Sequence, residues 1–339
     1  MFYRERHVIS VDDFTPADLE EIFDEATIMK TRMASARERM RLKHTLIDEH
    51  GQPREFVTLF WKASTRTKIS SGKAVEALGG RWDKEDNAGE FSSIAKGEAL
   101  RTSVVILAQY YDGIFIRYHG EEEGVMRIAS DASEMSSEYP ESKVPSIINA
   151  GDRNHEHPTQ TLIDLYIVRE YKPGLFNKGA LTWAFMGDLR DSRTIHSAIV
   201  ALGDYGGRVY VVSYPDNDLP PWVYEKAAAK GLGITRLDSW ESIAREVDVW
   251  YLVRSQEEYR SDGGRRLPDY ARRFGAHESF LERIHEDAII LHPLPHGPEI
   301  QEMSAFRDKR FVYIKQAYNG LPLRAALLKK LFETREARI

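Results

Sequence analysis

Phe56 to Leu78 reads FVTLFWKASTRTKISSGKAVEAL, an apolar run, a polar turn and a helix-like run in direct succession. Phe56 to Trp61 predicts a buried strand, and the part ending near Leu78 predicts a helix. Between them stands Ser64-Thr65-Arg66-Thr67. Because N–H groups at a helix N-terminus lack intrahelical partners and carry the positive end of the helix dipole, this turn is suited to phosphate. The plainer alternative is that Ser64 only caps the helix.

Short apolar runs alternate with helical patterns along almost the whole chain, which predicts the α/β class with parallel sheets and crossover helices. Strands are expected at Phe56 to Trp61, Gly113 to Arg117, Val144 to Asn149, Leu181 to Met186, Val209 to Ser213, Val247 to Val253, Ala288 to Leu291 and Phe311 to Ile314. Three polar stretches interrupt the alternation, and we expect them to be surface insertions or loops. They are Lys30 to Glu55, Asp131 to Lys143 and Glu257 to Glu278.

The composition indicates a soluble globular protein. Its 339 residues are enough for two domains, and 42% of them are hydrophobic and 29% charged. No apolar run approaches the roughly 20 residues needed to cross a bilayer, and the N-terminus lacks the apolar core of a signal peptide, so we expect a cytoplasmic protein without membrane contact. The absence of cysteine excludes disulfides and thiolate chemistry, and the net charge of −6 argues against nucleic acid as the main partner.

Basic and polar clusters follow several of the predicted strands, where open α/β sheets bind their ligands. They are Arg117, His157-Pro158-Thr159-Gln160 at the start of a helix beginning near Thr161, Arg193-Thr194, Arg254-Ser255-Gln256 and His292-Pro293-Leu294-Pro295. Each cluster alone has an ordinary explanation, such as a surface ion pair, a helix cap or a stiff turn. Together they favour a site for a small polyanionic substrate. No G-x-G-x-x-G follows a predicted strand, so a dinucleotide-binding enzyme is the least favoured alternative.

Seven motifs in this order resemble those of the aspartate and ornithine carbamoyltransferases. They are Ser64-Thr65-Arg66-Thr67, Lys96-Gly97-Glu98, Arg117, His157-Pro158-Thr159-Gln160, Gly187-Asp188-Leu189 with Arg193-Thr194, Arg254-x-Gln256 and His292-Pro293-Leu294-Pro295. The resemblance extends from Thr15 to the terminal helix after Gly320. Arg254-x-Gln256 with His-Pro-Leu-Pro, rather than His-Cys-Leu-Pro, resembles the aspartate branch of the family.

The resemblance implies a subunit of two domains, each a parallel sheet flanked by helices. A carbamoyl phosphate-binding domain would span residues 1–157 and an aspartate-binding domain residues 158–315, and a terminal helix at 316–339 would return to the first domain. Family members form trimers in which a neighbouring subunit completes each site, here with Ser92 to Lys96. We therefore expect a homotrimer with shared active sites. A regulatory or other pathway chain stays open as a further partner, and no metal or cofactor is implied.

The resemblance also implies a role for each motif. The catalytic residues would be Arg66, Thr67, Arg117 and His157. Carbamoyl phosphate would be bound by Ser64, Thr65, Arg66, Thr67, Arg117, His157, Gln160, Leu294 and Pro295, with Ser92 and Lys96 from the neighbouring subunit. L-Aspartate would be bound by Lys96, Arg193, Arg254 and Gln256. The implied reaction gives N-carbamoyl-L-aspartate and phosphate, a step of de novo pyrimidine synthesis.

Four places depart from the family pattern. Lys62 stands where Glu is usual, Ser71-Gly72 where Phe-Glu is usual, Arg101 where Asp is usual and His296 where Arg is usual. They leave the carbamoyl phosphate ligands intact and fall near the expected domain-closure and acceptor regions. Two alternatives stay open for this reason. One is a family member that acts on another amino acid or amine, for which Glu257 and Glu258 speak, and the other is a non-catalytic regulatory paralogue, for which Lys62 speaks.

Overall fold

The computed structural model describes residues 7–62, 64–86, 98–119, 124–139, 142–153, 155–255 and 269–336. Within these ranges the chain divides into two compact units. The first unit ends at Leu162 and resumes at Asn319, and the second runs from Ile163 to Tyr318. No described helix is both long enough and apolar enough to span a membrane.

The first unit contains a parallel sheet of four described strands in the order β2-β1-β3-β4. These strands are β1 Glu55–Phe60, β2 Arg81–Asp86, β3 Gly113–Tyr118 and β4 Ser146–Asp152. The inner strands are almost continuously buried, as expected for a parallel sheet covered by helices on both faces. The described α-helices of this part are α1 Pro16–Ala34, α2 Ala36–Leu42, α3 Thr65–Ala77, α4 Leu100–Leu107 and α5 Val125–Met135, followed by α6 Pro158–Tyr171, which continues into the second unit.

The second unit contains a parallel sheet of five described strands in the order β7-β6-β5-β8-β9. These are β5 Thr182–Met186, β6 Arg208–Val212, β7 Ile234–Leu237, β8 Val249–Leu252 and β9 Ile289–Leu291. Its described helices are α7 Pro173–Phe176, α8 Arg193–Leu202, α9 Pro221–Ala229, α10 Tyr270–Phe274, α11 Glu278–Arg283, α12 Glu302–Arg307 and α13 Tyr313–Tyr318. A core that includes Trp240, Trp250, Phe274 and Phe280 fills one side of this sheet.

The terminal helix α14, Gly320–Glu336, belongs to the first unit and packs against α1 and α3. Lys329 Nζ lies 3.0 Å from Glu25 Oε1 of α1, and the Phe332 ring meets Phe56 of β1 edge-on with centroids 5.3 Å apart. The predicted α/β fold, with two parallel sheets and a terminal helix packed on the first domain, is confirmed.

One predicted strand is wrong. Phe311 makes a single parallel bridge with Ile290, but the chain then turns into α13 at Tyr313. The Gln316 N–H donates to Val312 O at 2.8 Å, a helical hydrogen bond that commits this apolar run to helix instead of strand.

The three predicted loop segments also need correction. Lys30 to Glu55 is largely helical through the end of α2, and Leu42 and Leu46 are buried, because the charged residues occupy only the outer face. Asp131 to Lys143 begins inside α5, where the Ser133 hydroxyl donates to Pro145 O at 2.5 Å. Residues 257–268 lie outside the described residues, but the rest of Glu257 to Glu278 contains α10, and α11 begins at its last residue.

Candidate functional site

The first sheet brings three predicted clusters together at the carboxyl ends of β1, β3 and β4. These strands are neighbours in that order, so the chain leaves them at the same edge of the sheet. Ser64 to Thr67 follows β1, Arg117 lies near the end of β3, and His157 follows β4. The chain order reverses between β1 and β3, and crevices at such reversals are the usual ligand sites of open α/β sheets.

The turn after β1 leads directly into the N-terminus of α3, as the sequence predicted for an anion site. Ser64 occupies the N-cap position of α3, yet its hydroxyl accepts no hydrogen bond from the described first turn of that helix. The cap alternative for Ser64 is therefore wrong, and the hydroxyl is not used for holding the helix start. Thr67 is buried, whereas the Thr65 and Arg66 side chains are exposed. Desolvation by the surrounding protein atoms lowers the pKa of Arg66, but a guanidinium stays cationic at neutral pH.

Arg117 is fixed beside this turn by the register of the sheet. It pairs with Phe60, the last residue of β1, and its carbonyl accepts from the Trp61 N–H at 3.0 Å. Arg117 Nη1 donates to Ala150 O of β4 at 3.1 Å. The guanidinium thus spans from β3 to β4 at the edge where the phosphate turn leaves β1.

The cluster after β4 opens α6 at Pro158, not at Thr161 as predicted, because the His157 carbonyl already accepts from the N–H groups of Gln160 and Thr161 at 2.9 and 3.2 Å. His157 is 4% exposed. The Thr159 hydroxyl lies 3.5 Å from His157 Nδ1. Gln160 falls within the first helical turn, where the positive end of the dipole lies.

In the second sheet, β5, β8 and β9 are neighbours. The predicted acceptor-binding clusters follow β5 and β8, and the His-Pro-Leu-Pro turn, predicted to contact carbamoyl phosphate, follows β9. The turn after β5 contains Gly187 with φ 129°, where a side chain would overlap Tyr270 and the Val253 carbonyl. The Tyr270 hydroxyl accepts from the Asp188 N–H at 2.8 Å and donates to Val253 O at 2.6 Å. Tyr270 therefore ties the turn before Arg193 to the end of β8, one residue before Arg254.

Two acceptor residues are described at this edge. Arg193 begins α8, and Arg254 follows β8 with its Nη1 donating to Ser255 O at 3.0 Å. Three predicted site residues lie outside the described residues, namely Ser92, Lys96 and Gln256.

Buried hydrogen bonds hold the His-Pro-Leu-Pro turn after β9. The Leu294 N–H donates to His292 Nδ1 at 2.9 Å, so the ring proton sits on Nε2 and is donated to Glu299 Oε1 at 3.1 Å. Burial lowers the pKa of His292 and keeps it neutral. Burial alone would raise the pKa of Glu299, but hydrogen bonds from His292 and the Gly297 N–H hold it below the usual value. Leu294, with φ 58°, precedes Pro295 through a cis peptide bond.

A second buried chain of hydrogen bonds, the Asp164 network, runs behind this turn and comprises Asp164, Tyr251, Gln316 and the His292 backbone. The His292 N–H donates to Gln316 Oε1 at 3.1 Å, and Gln316 Nε2 donates to Asp164 Oδ1 at 2.6 Å. The Tyr251 hydroxyl donates to Asp164 Oδ2 at 2.7 Å, and burial together with Asp164 raises the pKa of Tyr251 well above its usual value. The network thus connects the turn after β9 to α6 and β8.

Two of the departures from the family pattern have a local structural explanation. A Cβ at Gly72 would overlap the Trp82 ring, whose Nε1 donates to Thr58 Oγ1 at 3.3 Å, so the missing side chain makes room for this tryptophan. His296 lies edge-on to Tyr313 with centroids 5.8 Å apart. Lys62 is exposed just after β1, and Arg101 Nη1 lies 3.2 Å from Met135 Sδ on the surface.

Several residues that shape the site escaped the sequence analysis. They are Asp164, Tyr251, Tyr270, Glu299, Gln316 and Arg324. The available signal was a lone charge within an apolar helical run: Asp164 stands within TLIDLYIV and Arg324 within LPLRAALL. A buried charge requires polar partners, so such an isolated residue marks a network even when its partners are distant in sequence.

Comparisons with known proteins agree along nearly the whole chain. The family model for the carbamoyl-P binding domain of aspartate/ornithine carbamoyltransferase matches residues 6–170, and the model for its Asp/Orn binding domain matches residues 180–331. The aspartate carbamoyltransferase catalytic subunit of Chromobacterium violaceum is 34% identical over 323 residues, covering 95% of this chain and 96% of the relative. That of Methanocaldococcus jannaschii is 34% identical and covers 98% of this chain and 99% of the relative.

Solved structures give the same result. The catalytic subunit of M. jannaschii aspartate transcarbamoylase superposes with a TM-score of 0.78 at 31% identity, covering 98% of this chain and 100% of the other. Aspartate transcarbamoylase from Trypanosoma cruzi, solved with carbamoyl aspartate and phosphate, has a TM-score of 0.78 at 26% identity, with 96% of each chain covered. The family predicted from the seven motifs is confirmed, and this chain belongs to the aspartate/ornithine carbamoyltransferases.

Proposed function

We propose that the protein transfers the carbamoyl group of carbamoyl phosphate to the amine of L-aspartate, giving N-carbamoyl-L-aspartate and phosphate. The observation that carries this proposal is the carboxyl edge of the first sheet, where a helix N-terminus with Arg66, Arg117 and His157 occupies three neighbouring strand ends. The names of the full-length relatives support the same reaction.

In the first unit, Ser64, Thr65, Arg66 and the N–H groups of the α3 start would hold the phosphate. Thr67, Arg117 and His157 would donate to the carbamoyl oxygen. Each oriented donor to a developing oxyanion in a water-poor site contributes about 3 to 4 kcal/mol to transition-state stabilisation. Gln160 and the carbonyls of Leu294 and Pro295 would orient the carbamoyl NH2 group.

The reaction needs neither a covalent bond between enzyme and substrate nor a change of oxidation state. The amine nitrogen forms a bond to the carbamoyl carbon and gives a tetrahedral oxyanion, and the bond between that carbon and the phosphate oxygen then breaks. The departing phosphate dianion accepts the amine proton, which balances the charges. The protein contributes position and electrostatic stabilisation, so binding geometry controls the rate.

In the second unit, Arg193, Arg254 and Gln256 would bind the aspartate carboxylates. Arginine suits this role because its planar guanidinium pairs with a carboxylate through two parallel hydrogen bonds. Lys62 and His296, which depart from the family pattern, keep another amino acid or amine as the alternative acceptor.

The proposal extends to assembly and cellular role. We propose a homotrimer in which Ser92 and Lys96 of one subunit reach the site of its neighbour, with Lys96 contacting both substrates, acting in the cytoplasm in de novo pyrimidine synthesis. Lys96→Ala and Arg117→Ala subunits, each inactive alone, should regain part of their activity after subunit exchange, because a hybrid trimer contains some sites with both native residues. Proven exchange without recovery would place Lys96 in the site of its own chain.

The direct test of the reaction is release of phosphate from carbamoyl phosphate, measured with a panel of amino acids and amines. We expect phosphate release to depend on L-aspartate and to yield N-carbamoyl-L-aspartate. A preference for ornithine or another amine would replace the acceptor while leaving the family intact. No release with any acceptor would support the regulatory paralogue.

A further inference from the structure

We infer that Arg324, on the terminal helix, is a positioning residue that orients both the phosphate turn and His157 for carbamoyl phosphate. This inference rests on the proposed function, because it assigns a further residue to the same phosphate-binding edge. Arg324 is only 3% exposed, although its neighbours on α14 are apolar. A buried guanidinium is costly unless its donors are satisfied, so its partners identify what it organises.

Those partners lie on the two helices that begin at the site. Arg324 Nη1 donates to Ser70 Oγ of α3 at 2.9 Å, and Nη2 donates to Thr159 Oγ1 of α6 at 3.2 Å. Nη1 also donates to Gly320 O at 3.3 Å, which fixes the guanidinium to its own helix. The rigid fork of one guanidinium therefore sets the spacing between the second turn of α3 and the first turn of α6.

The Ser70 contact reaches the phosphate turn. Because Ser70 Oγ accepts from Arg324, its own proton points toward the backbone, where Arg66 O lies at 2.7 Å and Thr67 O at 3.2 Å. The two carbonyls belong to the residues that would hold the phosphate and the carbamoyl oxygen. Arg324 is thus two hydrogen bonds from the backbone of Arg66 and Thr67.

The Thr159 contact reaches His157. The Thr159 hydroxyl accepts from Arg324 and lies 3.5 Å from His157 Nδ1, so its proton is available to that ring nitrogen. A neutral His157 with Nδ1 as acceptor carries its proton on Nε2, the tautomer that donates to a carbamoyl oxygen. Arg324 thus holds the hydroxyl that faces His157 Nδ1, and this arrangement favours the Nε2-protonated tautomer.

The test is binding of inorganic phosphate and carbamoyl phosphate to the full-length protein with Arg324→Met. We expect the Kd for phosphate and the KM for carbamoyl phosphate to rise about tenfold and kcat to fall, with the KM for the acceptor within about twofold of native, since a charge-assisted hydrogen bond is lost behind the phosphate turn. Nitrogen NMR of His157 should show the Nδ1-protonated tautomer gaining population. Arg324→Lys, which keeps the charge but not the fork, should recover only part of the affinity.

Lys329→Met is the matched control, because it removes a cation from the same helix whose ion pair is with Glu25 of α1. It should lower the unfolding temperature without changing phosphate affinity. Ser70→Ala and Thr159→Val remove the two contacts separately without the risk of unfolding the terminal helix. Ser70→Ala should weaken phosphate binding, and Thr159→Val should change the His157 tautomer.

The inference is overturned if phosphate affinity and the His157 tautomer stay native in Ser70→Ala and Thr159→Val, or if Arg324→Met loses only thermal stability. The double variant of Arg324→Met with Ser70→Ala tests whether Arg324 acts through Ser70. A phosphate affinity much lower in the double variant than in either single variant would also contradict the inference. Failure of the native protein itself to bind phosphate or carbamoyl phosphate would instead remove the proposed function.

Discussion

The two sheets present their ligand groups in different ways. At the first sheet, Ser64 to Thr67 is a contiguous turn at a helix N-terminus, and its reactive groups follow from local sequence. At the second sheet, the turns that carry the predicted acceptor residues and the His-Pro-Leu-Pro turn are held by buried hydrogen bonds from Tyr270, Glu299 and the Asp164 network. The groups at the first edge are therefore positioned mainly by residues adjacent in sequence. The groups at the second edge are positioned mainly by polar contacts between residues far apart in sequence.

The comparison has a functional consequence. Phosphate is a constant part of the substrate, and a helix N-terminus binds it with backbone groups that no side-chain substitution can remove. The acceptor differs between family branches, and arginines on supported turns can be changed without rebuilding the sheet. We therefore expect substitutions at the first edge to act on turnover with little cost in stability, and substitutions beneath the second edge to act on both.

The largest effect is expected for Arg66→Ala. Arg66 is exposed on the strand-to-helix turn, so the free energy of unfolding should change by no more than about 0.5 kcal/mol. Turnover should fall by at least about a hundredfold, because the charge that stabilises the leaving phosphate is lost. Steady-state kinetics and urea unfolding of the same preparation check both parts. Native-like turnover would remove the phosphate role from this turn.

Arg254→Gln should act on the second edge alone. We expect the KM for aspartate to rise about ten- to a hundredfold, since a charge-assisted contact to a carboxylate contributes roughly 1.5 to 3 kcal/mol. A fall in kcat is also expected, because a contact that orients the acceptor amine is felt in the transition state as well as in substrate binding. Kinetics with aspartate and ornithine provide the measurement. An Arg254→Gln protein with unchanged kinetics would contradict the aspartate assignment.

Asp164→Asn tests whether the second edge, unlike the first, depends on buried polar contacts. Asn keeps the shape but loses one of the carboxylate acceptors used by Tyr251 and Gln316, at a cost of about 1 to 3 kcal/mol. We expect a lower unfolding temperature and a higher KM for aspartate with an unchanged Kd for phosphate.

Asp204→Asn is the control, because it breaks the partly exposed ion pair with Lys230 in the same unit. Such pairs contribute about 0 to 1 kcal/mol. If both Asp variants behaved alike, the Asp164 network would have no special role in the acceptor edge.

The smallest effect concerns the buried His292–Glu299 pair. The folded protein lowers the pKa of both groups, so the unfolded chain binds more protons as the pH falls below the usual histidine value of 6.5 and then the usual glutamate value of 4.5. The stability contribution is present above these values and is lost on acidification. His292→Gln should flatten the fall of unfolding temperature between pH 7 and 5. An unchanged pH dependence would show that this pair does not contribute.

Much of the fold was predictable from local patterns. The runs that gave β1, β3, β4, β5, β6, β8 and β9 are mostly apolar and mostly buried, and such strands are continuous in sequence. The strands β2 and β7 were missed because neither is an apolar run: RWDKED is mostly charged, and ITRL has two polar residues among its four. Phe311 to Ile314 failed for the opposite reason, since a short apolar run does not distinguish strand from helix.

The site residues also divide into those that the sequence predicted and those that it did not. The described motif residues of the two sheets lie near strand ends, so their positions were predictable from the strand pattern, and their roles stay predictions. The residues that support them were not, because their partners are far along the chain: Gln316 is 152 residues from Asp164, and Arg324 is 254 residues from Ser70. No periodicity reports such contacts, and only the presence of a lone charge in an apolar helix signals them.

The central claim, that the first edge binds carbamoyl phosphate and the second binds the acceptor, is tested most directly by titrating carbamoyl phosphate into native, Arg66→Ala and Arg254→Gln proteins by calorimetry. The account predicts that Arg66→Ala loses binding, at least about tenfold in Kd, whereas Arg254→Gln stays within about twofold of native. Equal weakening in both variants, or native affinity in Arg66→Ala, would contradict the division of the two substrates between the two edges.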